Sequence, residues 1–133
     1  MKKHSENAMY LASRMENDGL KIIYPGLASH KDHELMKGLM NPDFGFGGMM
    51  AIDLGTAPKA SHFMENMQNQ GVGYLAVSLG YFKTLFSNPG KSTSSEVPEH
   101  IQREMGLSEG LVRFSVGLDH DIEQIYQRIK NCI

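Results

Sequence analysis

The stretch Leu111-Val112-Arg113-Phe114-Ser115-Val116-Gly117-Leu118 constrains the fold more than any other part of the chain. Successive side chains of a strand point to opposite faces. Val112, Phe114, Val116 and Leu118 therefore form one apolar row, while Arg113, Ser115 and Gly117 occupy the other side. Such a strand belongs in a sheet with one face in the core and one face left for something else. Tyr74 to Gly80 repeats the pattern, with Leu75, Val77 and Leu79 as the apolar row and Ala76, Ser78 and Gly80 opposite.

Further elements flank these two strands. Ala8, Met9, Leu11, Ala12 and Met15 fall at helical spacing, and Gly19 is a natural stop. Leu20 to Tyr24 reads as a strand ended by Pro25-Gly26. Ser29 is placed to cap a helix from about His30 to Met40, with Leu35, Met36 and Leu39 on one face. Three glycines between Phe44 and Gly48 mark closely packed backbone before a strand at Met49 to Leu54. Thr56 is placed to cap a third helix, with Pro58 in its first turn and Ala60, Phe63, Met64 and Met67 as its apolar stripe. Residues 86–98 read as a long polar loop, followed by a short helix from Glu99 to Met105. Asp119 or Asp121 caps a last helix with Ile122, Ile125, Tyr126, Ile129 and Ile133 along one side.

The expected fold class is α+β: a two-layer sandwich with a mainly antiparallel sheet of about four strands and helices on one face. The 133 residues suffice for one domain with a real core, with about 7,000 Å² left accessible. The net charge of -2 offers no basic excess for nucleic acid. No apolar run approaches the ~20 residues that span a bilayer, and Met1 to Glu6 lacks the apolar stretch of a signal peptide. Cys132 has no second cysteine to pair with. A cytoplasmic protein that binds neither nucleic acid nor membrane is the expectation.

Among candidate functional residues, Arg113 is the most pointed. A guanidinium standing among Ser, Ala and Gly has room above it for a carboxylate or phosphate, which its planar fork binds bidentately. A solvated strand residue, or a partner for a structural Asp, is the plainer reading of the same pattern. His30 and His33 lack a third ligand at a diagnostic spacing, so they read as helix-entry residues and no metal site is expected. The ten methionines lie mostly on apolar faces and read as core filler.

Several segments together carry a resemblance. They are Tyr24-Pro25-Gly26-Leu27-Ala28-Ser29-His30-Lys31-Asp32-His33-Glu34-Leu35, Gly47-Gly48-Met49, Ala76-Val77-Ser78-Leu79-Gly80 and Ser108-Glu109-Gly110-Leu111-Val112-Arg113-Phe114-Ser115-Val116-Gly117-Leu118. In order and spacing the chain, from about Lys2 to Ile133, resembles the C-terminal domain of the Cys/Met-metabolism family of pyridoxal-phosphate enzymes. That family groups methionine γ-lyase, cystathionine γ-synthase and the cystathionine lyases. The resemblance implies the C-terminal small domain of a fold-type I enzyme over residues 1–133, with the cofactor-binding domain and its lysine absent from this chain.

It further implies roles. Arg113 resembles the binder of the substrate α-carboxylate, Ser78 and Leu79 match residues near the cofactor lysine and substrate, and Thr93 matches a threonine of an active-site loop. Ser94 stands where many members have His. The implied reaction is β/γ-elimination or γ-replacement on methionine, cystathionine or O-acylhomoserine-type substrates, with pyridoxal phosphate as electron sink. No catalytic residue is expected in this piece alone. The implied partners are the amino-acid substrate, a missing N-terminal cofactor domain and further copies in a homotetramer. The alternative is a stand-alone module that binds amino-acid carboxylates without catalysis.

Overall fold

A computed structural model describes residues 1–133. In chain order the elements are α1 (Lys2–Asn17), β1 (Lys21–Ile23), α2 (His33–Leu39), β2 (Met49–Asp53), α3 (Ala57–Asn69), β3 (Gly73–Leu75), β4 (Thr84–Ser87), α4 (Glu99–Glu104), β5 (Leu111–Ser115) and α5 (Ile122–Lys130). The strands form one sheet in the order β1-β2-β5-β4-β3. All pairings are antiparallel except β3 with β4. The accessible surface is 7526 Å², close to the expectation from mass. No helix is long and apolar enough to cross a membrane.

The α+β, mainly antiparallel expectation holds. One face of the sheet presents Met50, Ile52, Phe86, Val112 and Phe114 to Ala8, Leu11 and Met15 of α1, Phe63 and Met67 of α3, and Ile125 and Ile129 of α5. Phe114 sits at the centre, its ring 6.2 Å from Phe63 and 6.3 Å from Phe86. Burying these side chains supplies most of the driving force, on the order of 1.5–3 kcal/mol for each large one.

The ends of α1 and α5 are fastened by polar contacts. Tyr10 and Arg14 both donate to Glu123. Asp18 accepts from Tyr126 and pairs with Lys130 at 3.2 Å. The hydrogen bond from Tyr126, with that from Lys130, holds the Asp18 carboxyl below its ordinary value and raises its two partners. At the other end of α1, His4 Nδ1 donates to the Val116 carbonyl at 2.6 Å.

Several local expectations need correction. The strand expected over Tyr74 to Gly80 stops at Leu75, and its row Leu75, Val77 and Leu79 is exposed instead of forming core. A fifth strand, β4, occupies the start of what reads as polar loop. The last strand ends at Ser115, so Leu118 is exposed although Val116 remains buried. The second helix begins at His33 after Asp32, with no side-chain cap, and Ser29 donates instead to Glu16. That helix buries nothing, and its Leu35 and Leu39 face solvent. Thr56 precedes α3 without a side-chain cap, whereas Asp121 caps α5 by accepting from Gln124 N at 3.0 Å. Ile133 and the methionines 1, 49 and 105 are exposed.

Candidate functional site

Arg113 lies in the middle strand of the sheet, on the face turned away from the helices. Its cross-strand neighbours are Ala51 on β2 and Ser87 on β4. Leu111 and Ser115 share its face by alternation. The Arg113 side chain is half-buried, and Nη2 donates to the Ser78 carbonyl at 3.3 Å. Its Nε is buried and has no hydrogen-bond partner, and neither has Ser87 Oγ.

Residues 76–82 cross this face as a strap. Ala76 N donates to the Phe86 carbonyl, Gly80 N to Ser115 Oγ at 3.0 Å, and Leu118 N to the Phe82 carbonyl. The strap explains why Ser115 and Leu85, though outside the core, are buried. It also explains Gly117: a Cβ there would stand 2.5 Å from the Phe82 carbonyl oxygen. The strap turns at Gly80, whose φ of +68° favours glycine. It directs Val77, Leu79 and Phe82 outward, each more than half exposed.

Electrostatically the face is settled at one end and open in the middle. Lys21 pairs with Asp53 at 2.6 Å. Burial pushes the Asp53 carboxyl up, but hydrogen bonds from Lys21, Ser108 and Gly55 N outweigh it, so the net direction is down. Asp53 is thereby committed to its own partners. No ion pair engages Arg113.

Of the four residues expected to bind substrate, the structure brings Arg113 and Ser78 together, through the Ser78 main chain and not its hydroxyl. Leu79 follows in the strap and is exposed. Thr93 makes no hydrogen bond and is exposed, in a loop whose shape is fixed from elsewhere. Gln102 on α4 donates to the carbonyls of Gly90, Ser94 and Val97. Ser92 Oγ closes onto the Asn88 carbonyl at 2.6 Å, and Asn88 donates to the Glu109 carbonyl at 2.8 Å. Beside this loop a cavity of about 300 Å³ is lined by Met64, Ala76, Val77, Ser87, Lys91 and Ser92, among others. His30 and His33 serve the local backbone: His30 Nδ1 accepts from Asp32 N, and His33 Nδ1 donates to the Pro25 carbonyl.

Ser87 escapes the sequence reading because β4 does. Thr84-Leu85-Phe86-Ser87 is buried on both sides, so no alternation marks it. The usable signal is a run of four residues rich in strand formers, closed by Asn88-Pro89.

The chain matches, over residues 1–133, the family described as Cys/Met metabolism PLP-dependent enzyme. It is 47% identical over 125 residues to a methionine gamma-lyase of Arabidopsis thaliana, covering 93% of this chain and 28% of that protein. It is 33% identical over 136 residues to a cystathionine gamma-lyase of Bacillus subtilis, covering 98% and 34%. A solved cystathionine gamma-lyase from yeast superposes with a TM-score of 0.87 at 27% identity, covering 98% of this chain and 33% of that one. A solved protein of Campylobacter jejuni described as an O-acetylhomoserine (thiol)-lyase, carrying a pyridoxyl-lysine phosphate, superposes at 0.88 with the same identity. The chain thus spans about a third of the length of the relatives it matches.

Proposed function

This chain belongs to the Cys/Met-metabolism family of pyridoxal-phosphate-dependent enzymes, and on that premise we propose that it supplies the carboxylate-binding wall of such an enzyme's active site. The enzyme is a sulfur amino-acid lyase or synthase, acting by β/γ-elimination or γ-replacement. The reading rests above all on Arg113, a half-buried guanidinium without an ion-pair partner and with a buried, unsatisfied Nε, on the one sheet face that no helix covers.

The residues present fit the immediate neighbourhood of the cofactor. An amino acid bound there presents an α-carboxylate, and a free guanidinium beside a small residue suits it. Pyridoxal phosphate, when bound, withdraws electrons from the substrate α-carbon. Arg113 then holds the carboxylate through its fork, which fixes the rotation of the α-carbon relative to the ring. The Ser78 carbonyl is the resting partner that Arg113 Nη2 leaves, at 3.3 Å a long bond and easily exchanged. The strap keeps water from Ser115 and the floor of the face, which strengthens the ion pair. Leu79 and Thr93 belong to the rim.

The rest of the site comes from a cofactor-bearing domain with its lysine. The exposed Leu75, Val77, Leu79 and Phe82 beside Arg113 form the apolar surface offered to it. Assembly as a homo-oligomer and a cytoplasmic setting complete the reading.

Kinetics of Arg113→Ala in the assembled enzyme test it. Removing a charge-assisted pair should lower kcat/KM by about 2–4 kcal/mol, or roughly 30- to 1,000-fold, mainly through KM. Arg113→Lys should recover only part of this, because the fork is lost. A change under about threefold on Arg113→Ala overturns the assignment.

A further inference from the structure

Ser87 stands directly opposite Arg113 in the register of β4 and β5, so both side chains leave the same face of the sheet. Ser87 is 3% exposed, and its Oγ is without a partner. Buried polar atoms are paired in the great majority of cases, and each exception asks for an explanation. Here two exceptions are cross-strand neighbours, Ser87 Oγ and Arg113 Nε. The guanidinium nitrogen can only donate, and the hydroxyl donates as readily as it accepts. Two unsatisfied donors side by side suit a ligand that carries two acceptor oxygens. Ser87 is also among the residues lining the 300 Å³ cavity formed with Ala76 and Val77.

We propose that Ser87 is a second donor to the substrate carboxylate that Arg113 holds. The hydroxyl approaches from β4 and the guanidinium from β5, and together they fix the carboxylate at two points. This inference rests on the carboxylate reading of Arg113. It also accounts for the unpaired hydroxyl: Ser87 is kept for a ligand and contributes no bond to the fold.

The assembled enzyme, probed with the unreactive amino acid L-norleucine and with n-pentylamine (the same molecule without its carboxylate), separates the possibilities. Ser87→Ala should raise the inhibition constant of norleucine about tenfold, as for a lost hydrogen bond to a charged group. It should leave that of pentylamine unchanged. The midpoint of thermal unfolding should stay or rise, because an unsatisfied hydroxyl is removed. Ser87→Thr, which keeps a hydroxyl, should restore norleucine binding. If Ser87→Ala leaves norleucine binding intact while Arg113→Ala weakens it, the role of Ser87 is overturned and the Arg113 reading stands. If neither variant weakens it, both fall. Equal weakening of norleucine and pentylamine, or a lowered unfolding midpoint, makes Ser87 a packing residue and overturns the proposal.

Discussion

On the helix-covered face of the sheet, Met50, Ile52, Phe86, Val112 and Phe114 meet the stripes of α1, α3 and α5, and the Thr84 hydroxyl accepts from Gly117 N. On the opposite face, one residue away along the same strands, Arg113 and Ser87 keep buried donors unpaired, and the strap above them turns Val77, Leu79 and Phe82 to solvent. Both faces come from the same alternation. The first is complete within the 133 residues, and the second has the chemistry of a surface that meets something else. Neighbouring residues of β5 therefore differ in kind: Phe114 is packed in the core, and on the proposed function Arg113 is the residue kept for a ligand.

The contrast is sharpest at those two positions. Phe114→Ala should lower unfolding stability by about 3–5 kcal/mol in urea denaturation, since its cavity is walled by Phe63 and Phe86. Arg113→Ala should move stability by less than about 1 kcal/mol. Comparable losses at both would erase the distinction between the faces.

The edge of the open face and the exposed helix α2 differ in how closely other atoms approach the backbone. A Cβ at Gly73 would stand 1.9 Å from the Thr84 carbonyl oxygen, whereas one at Gly38 in α2 meets nothing within 4 Å. Gly73→Ala should destabilise by about 1–3 kcal/mol and raise amide exchange at Ala76, the anchor of the strap. Gly38→Ala should stabilise by about 0.5–1 kcal/mol. Equal effects would show that β3 does not hold the strap.

The smallest effect is electrostatic and lies on the helical side. Asp18 is held below its ordinary 3.8 by Tyr126 and Lys130. The stability it contributes is present above that value and lost as pH falls through and below it. Between pH 5 and pH 3 the wild type should lose more of its thermal midpoint than Asp18→Asn does. Asp53, lowered by Lys21, Ser108 and Gly55, should behave the same way on the open face. An acid profile unchanged in Asp18→Asn would mean that the contact of Asp18 with Tyr126 and Lys130 carries no weight.

Much of this was legible from residue order. The alternation of Val112, Phe114 and Val116 gave the core row and put Arg113 on the other side. The stripes of α1, α3 and α5 follow from helical spacing. Leu75, Val77 and Leu79 misled because the alternation runs on from the end of β3 into a strap, and all three are exposed: periodicity reports sidedness and not which side is inside. β4 stayed hidden because it is buried on both faces, and with it Ser87. The tether from Gln102 to the Thr93 loop is a tertiary arrangement that no local pattern encodes.

A crystal structure of the assembled enzyme with L-norleucine bound would show directly whether Arg113 holds the carboxylate. Both carboxylate oxygens should lie within about 3 Å of the Arg113 guanidinium, with Nη2 released from the Ser78 carbonyl. A carboxylate held elsewhere, with Arg113 still bonded to Ser78 as it is here, would contradict that role for Arg113.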